Sequence, residues 1–110
     1  MTSAIQAVRD SEGYLVNPAD WDETLARQLA AEERLTLTED YWPVLRFMRD
    51  SWHEHHIAPD VRHVVAWLAE ARGIDRKHAK EQLFRMFPYG YVKQACKIAG
   101  MRRPRAWSTG

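Results

Sequence analysis

Cys96 is the single thiol of the 110-residue chain, and it lies between Lys93 and Lys97. A cysteine attacks as its thiolate, and nearby cations favour that form. The cluster therefore offers a nucleophilic or sulfur-carrying centre. Cys96 would be the reacting group, and Lys93 and Lys97 its charged flanks. Tyr91, Val92, Ala95 and Ala99 surround it in sequence, so the residues themselves favour Cys96 as a small packed hydrophobe. A lone cysteine forms no internal disulfide and no cysteine-rich zinc site. A reducing, cytoplasmic location is the default expectation.

A second group is imidazole: His53, His55 and His56, with His63 further on. Zinc-binding histidines on a helix need i, i+4 spacing on one face. His53 and His56 are three apart, and HExxH is absent, so a solvated helix end is expected, with no metal and no cofactor. A third group is basic: Arg102, Arg103 and Arg105, with Trp107. Cations meet phosphates and an aromatic ring can stack on a base, as in a nucleic-acid-binding arm. Solubilising tails have the same composition. No glycine-rich phosphate loop and no GxSxG nucleophile elbow occur.

Charge is unevenly spread behind a net value of +1. Residues 1–40 carry nine acidic and three basic side chains, while residues 85–110 carry six basic and none acidic. The basic end either meets an anionic partner or folds back onto the acidic end of the same chain.

The elements that must position these groups read as helices. The chain has the length of one domain and, with 45% hydrophobic and 28% charged residues, the composition of a globular protein. No apolar run is long enough to span a bilayer, and the opening residues lack the pattern of a secretory signal. Ala4–Val8 and Tyr14–Val16 flank a turn at Gly13, which predicts a small β-hairpin. Asn17 caps a first helix with Pro18 at its first position, running to about Glu33 with Trp21, Leu25, Leu29 and Ala30 inward. Thr38 caps a second, with Tyr41, Leu45, Met48 and Trp52 as its stripe and Trp42 and Phe47 widening it. Pro43 lies just inside its first turn and removes a backbone donor. Pro59 and Asp60 open a third helix, carrying Val61, Val64, Val65 and Leu68 and closed by Gly73. Asp75 caps a fourth that reaches Phe87, with Ala79, Leu83 and Met86 inward. A turn at Pro88-Tyr89-Gly90 leads into a short fifth helix, Tyr91 to Ala99, closed by Gly100. The expected fold is mainly α: an orthogonal bundle of about five helices in one domain over residues 1–100. A mobile basic arm would follow over residues 101–110.

The stretch FPYGYVKQACKIAGM, Phe87 to Met101, resembles the DsrC/TusE family of small sulfur-relay proteins, also known as the gamma subunit of dissimilatory sulfite reductase. The matching positions are Phe87, Pro88, Gly90, Lys93, Gln94, Cys96, Lys97, Ala99 and Gly100; Tyr91 stands where the family pattern has Pro. Other pieces agree in order: Asp10 to Leu15 as the hairpin turn, Trp21 with Ala26, Leu29 and Ala30, Leu37-Thr38 before Tyr41-Trp42, Phe47 with Arg49, and Pro59 with Arg62. The resemblance implies a helical fold with an N-terminal hairpin and a flexible C-terminal arm. It also implies a persulfide-bearing cysteine near the end of that arm, and in DsrC members a second cysteine eleven positions upstream that can pair with it. Cys96 matches the upstream cysteine, and Trp107 occupies the place of the terminal one.

Sulfur relay needs a thiolate that attacks a sulfane sulfur and holds it as a persulfide. With Cys96 as the one candidate, the resemblance implies an accessory or regulatory paralogue of that relay. Its partner would be a sulfurtransferase or a sulfite-reductase-type enzyme, with Lys93, Lys97, Arg102, Arg103 and Arg105 as binding residues. The alternatives are a carrier that uses Cys96 alone and a nucleic-acid-binding regulator that uses the arginine-rich arm.

Overall fold

A computed structural model describes residues 7–103 of the chain. Four α-helices carry the fold: α1 (Glu23–Glu32), α2 (Tyr41–His55), α3 (Val61–Arg72) and α4 (Arg76–Met86). A π-helical segment, Tyr91–Cys96, is the fifth. Helix α3 packs most extensively on α4, and α2 lies against α3.

The caps explain where these helices begin. The carboxylates of Asp22, Asp60 and Asp75 accept the backbone N–H of Leu25, Arg62 and His78 at 2.7, 2.9 and 2.8 Å. Each satisfies a donor that has no partner inside its helix. The expected first helix is split. Asn17 caps only a 3-10 turn, Pro18–Asp20, and the chain extends at Trp21 before Asp22 caps α1. Two short polar caps five residues apart compete here, and the second one starts the α-helix. Helix α2 starts at Tyr41 rather than beside Thr38, whose carbonyl accepts the Tyr41 N–H in a turn at 3.0 Å. Pro43 sits in the first turn of α2, where a missing N–H costs nothing.

Two helices close on left-handed residues. Gly73 closes α3 at φ 65°, and His56 closes α2 at φ 61°. Glycine takes that conformation freely, whereas histidine does so at some cost. The expected hairpin shrinks to one antiparallel bridge, Arg9–Leu15, around the turn at Gly13. Ala4 to Gln6 lie outside the described residues.

Leu25, Leu29, Ala30, Leu45, Met48, Val64, Leu68, Ala79 and Leu83 are buried, as their spacing predicts. Fully burying one such leucine stabilises a fold by about 1.5–3 kcal/mol. Trp21, Tyr41, Trp42, Phe47, Trp52 and Met86 are only partly buried and border that core. Among the described residues no helix is long and apolar enough to cross a membrane.

Candidate functional site

The fifth helix delivers Cys96 into the core. Gly90, at φ 111° and ψ 161°, starts it in a conformation open essentially to glycine alone. The segment then winds as a wide π turn instead of the expected α-helix. Single π turns often occur at functional sites. Tyr91, Gln94, Ala95, Cys96, Ile98, Ala99 and Met101 are all at 0% exposure.

Cys96 is therefore shielded, and burial pushes its thiol up to about 12 from an ordinary 9.0. The Tyr91 hydroxyl is its hydrogen-bonding neighbour and only partly offsets that shift. Burial fits the reading of Cys96 as a small packed hydrophobe, not as a thiolate held by Lys93 and Lys97. Lys93 is exposed to solvent. The Lys97 ammonium pairs with Glu33 at 3.5 Å and lies 5.1 Å from the centre of the Tyr14 ring. Desolvation of the sulfur dominates, because a charge in an apolar surrounding loses its hydration.

A polar network fixes this helix in place. The Tyr91 hydroxyl donates to the Pro59 carbonyl at 2.5 Å, in the connection between α2 and α3. The Tyr14 hydroxyl donates to Val92 O at 2.9 Å. Gln94 is buried; its amide donates to Glu33 at 3.2 Å, and its carbonyl accepts the Tyr89 N–H at 2.9 Å. Arg49 lies buried between the Trp21 and Trp52 rings, 4.7 and 5.3 Å from their centres. It donates to Ala99 O at 3.1 Å and Pro18 O at 2.8 Å. Gly100 is required by the same contact region. A Cβ there would sit 2.3 Å from Trp21 Cδ1, and its φ is +78°.

Arg49 and Gln94 stand in the sequence only as positions shared with the family, and Tyr91 as a departure from its pattern; their roles emerge from the fold. A polar residue inside an apolar stripe, as Arg49 is between Leu45 and Met48 on one side and Trp52 on the other, is the signal that could have found the first.

The basic residues fold back onto the acidic end. Arg103 pairs with Glu12 at 3.1 Å, and Arg102 donates to Val16 O at 3.0 Å. Met101 is buried, so the chain is packed up to that residue. Arg105 and Trp107 lie outside the described residues. Of the two expectations for the charge gradient, these contacts realise the intramolecular one.

The histidines stand elsewhere. His53, His55 and His63 line an open groove of about 1130 Å³ at the α2–α3 junction. Among the described residues no three of His, Cys, Asp and Glu come together as metal ligands.

A mainly helical protein with a glycine-started π turn, one buried thiol and a basic C-terminal segment is thus defined by fold and site. Residues 2–106 match the DsrC like protein family, and the chain belongs to that family. The chain is 42% identical over 95 residues to the sulfurtransferase TusE of Photorhabdus laumondii, covering 86% of this chain and 85% of the relative. It is 36% identical over 102 residues to a sulfurtransferase TusE homolog of Haemophilus influenzae, covering 93% of each. Among solved structures it is similar to the oxidized gamma-subunit of the dissimilatory sulfite reductase (DsrC) from Archaeoglobus fulgidus. There the TM-score is 0.80 and the identity 30%, over 92% of this chain and 91% of the other. DsrC of Allochromatium vinosum is similar with a TM-score of 0.78 and 37% identity, over 92% and 89% of the two chains. The family gives the nucleic-acid reading of the arginines no support.

Proposed function

We propose that this chain is an accessory or regulatory member of a sulfur relay, working in a reducing, cytoplasmic setting. It acts by binding a protein partner, a sulfurtransferase or a sulfite-reductase-type enzyme. Its free folded form keeps Cys96 closed. The relatives' names support the place in sulfur metabolism, since they include sulfurtransferases and a sulfite reductase subunit.

The burial of Cys96 carries the rest of the reading. Loading sulfur on Cys96 would need its thiolate to attack a sulfane sulfur. The new S–S bond would form as the donor's S–S bond breaks, and the donor would leave as a thiolate or shortened polysulfide. A thiol at 0% exposure, raised to about 12, offers neither access nor anion at neutral pH.

Intact mass after exposure to polysulfide tests this, with Cys96→Ser beside the unaltered chain. The folded protein is expected to gain no sulfur, and the urea-unfolded protein to gain one atom at Cys96. A sulfur adduct on the folded protein that Cys96→Ser lacks would overturn the closed-thiol reading and support a carrier using Cys96.

A further inference from the structure

We propose that the groove at the α2–α3 junction is the docking surface for the protein partner, through a segment that offers an apolar side chain flanked by lysine or arginine. The inference rests on the partner-binding reading above and adds the surface and the chemistry of what it takes.

The groove is open and largely apolar. Phe47, Ile57, Pro59 and Ala66 line it. Ile57 is 65% exposed, one of the few large apolar side chains left in solvent among the described residues. Phe47 is stacked on Trp67 at 4.8 Å between ring centres, so that wall is firm. An exposed apolar surface set in a polar surround marks an interaction site. A volume of about 1130 Å³ holds more than one side chain.

Charge decides between occupants. Asp50, Glu54 and Asp60 line the groove together with His53, His55 and His63, His55 Nε2 lying 3.3 Å from Glu54, and no lysine or arginine is among the lining. Arg62 reaches Asp60 at 3.4 Å, but it is 87% exposed and lies outside the lining. A nucleic acid or any other polyanion would be repelled there. A second copy placed face to face by a two-fold axis would set these carboxylates against a lining that offers no lysine or arginine to them. This chain's own Arg102 and Arg103 are already held at Val16 and Glu12. A foreign segment with basic flanks gains from the same carboxylates, and complementary charge steers its approach.

The groove also lies next to the thiol's tether. Pro59 lines it and accepts the hydrogen bond from Tyr91, the neighbour of Cys96. His56, at φ 61°, starts the connection that carries Pro59. A partner seated in the groove therefore touches the element that holds Tyr91.

Amide chemical-shift mapping on the full chain at low salt tests the proposal, with a heptapeptide of alternating lysine and leucine as probe. Shifts are expected to cluster at residues 47–66, and the double variant Asp50→Lys with Glu54→Lys to weaken binding by at least about tenfold. Replacing the peptide's lysines by glutamate, or its leucines by serine, is expected to abolish binding. Ile57→Asp removes the apolar contact at an exposed position that does not threaten folding, and is expected to lose the shifts as well. Shifts that map elsewhere, no binding, or binding indifferent to these changes would overturn the proposal. So would concentration-dependent self-association that buries Ile57. None of these readouts involves sulfur loading, so they fail or succeed independently of the closed thiol.

Discussion

Two neighbouring regions of this protein are built on opposite plans. From Tyr91 to Met101 the fifth helix and the residues after it turn almost every side chain inward and leave only Lys93 exposed. From His53 to Ile57 every side chain is exposed, including the apolar Ile57. The first region holds the thiol but no access to it, and the second holds access but no thiol. They meet at the hydrogen bond from Tyr91 to Pro59. The residues through which the chain resembles its family thus serve first to pack: Gly90 begins the π turn, Gln94 ties it to Glu33, and Gly100 lets Trp21 approach. The groove takes no residue from the Phe87–Met101 stretch, and its chemistry comes from α2, α3 and the connection between them.

The largest expected effect strikes the packed region. Gly100→Ala puts a Cβ into Trp21 and forces a non-glycine residue to positive φ. Overpacking costs about 1–3 kcal/mol and the left-handed conformation about 1–2 kcal/mol more. A drop of about 3 kcal/mol in urea-unfolding free energy is therefore expected. A loss under about 1 kcal/mol would show that Trp21 gives way easily and that the motif's glycine is not needed for packing.

Tyr91→Phe cuts the contact between the two regions and is expected to cost about 1–2 kcal/mol, since the Pro59 carbonyl loses its donor. It should also speed alkylation of Cys96 in the folded protein, at denaturant concentrations far below unfolding. A control such as Leu68→Ala, which destabilises the core without touching Tyr91, should not reproduce that fast phase. Equal alkylation rates for Tyr91→Phe and the unaltered chain would show that Tyr91 does not hold the thiol closed.

A smaller effect is expected at alkaline pH. The folded thiol is raised to about 12 from 9.0, so above pH 9 the unfolded chain loses this proton first. Stability is therefore unaffected by Cys96 below pH 9 and falls between pH 9 and 12. Tyr14, also raised to about 12, adds a fall of the same sign from its ordinary 10.0. Cys96→Ala should remove the thiol's share of that slope and leave the tyrosines' share. An unchanged slope in Cys96→Ala would contradict the burial of the sulfur. The smallest effect belongs to the open region. Ile57→Asp should change thermal stability by no more than about 0.5 kcal/mol, because an exposed side chain leaves little packing behind.

Much of this was legible in the order of residues alone. Helical spacing located the core positions on α1 to α4, because an amphipathic helix must repeat its apolar side chains every three or four residues. Asp60, Gly73 and Asp75 marked their boundaries, since capping is a local bargain between a side chain and nearby backbone groups. The motif around Cys96 carried the family. Only the tertiary structure decided that Asp22 rather than Asn17 starts α1, and that the fifth helix is a π turn. It alone decided that Cys96 is buried with Tyr91 as its polar neighbour instead of standing beside two free lysines. Sequence distance says which groups are near along the chain, whereas a thiol's reactivity depends on solvent and on partners such as Pro59, which approach from far along it.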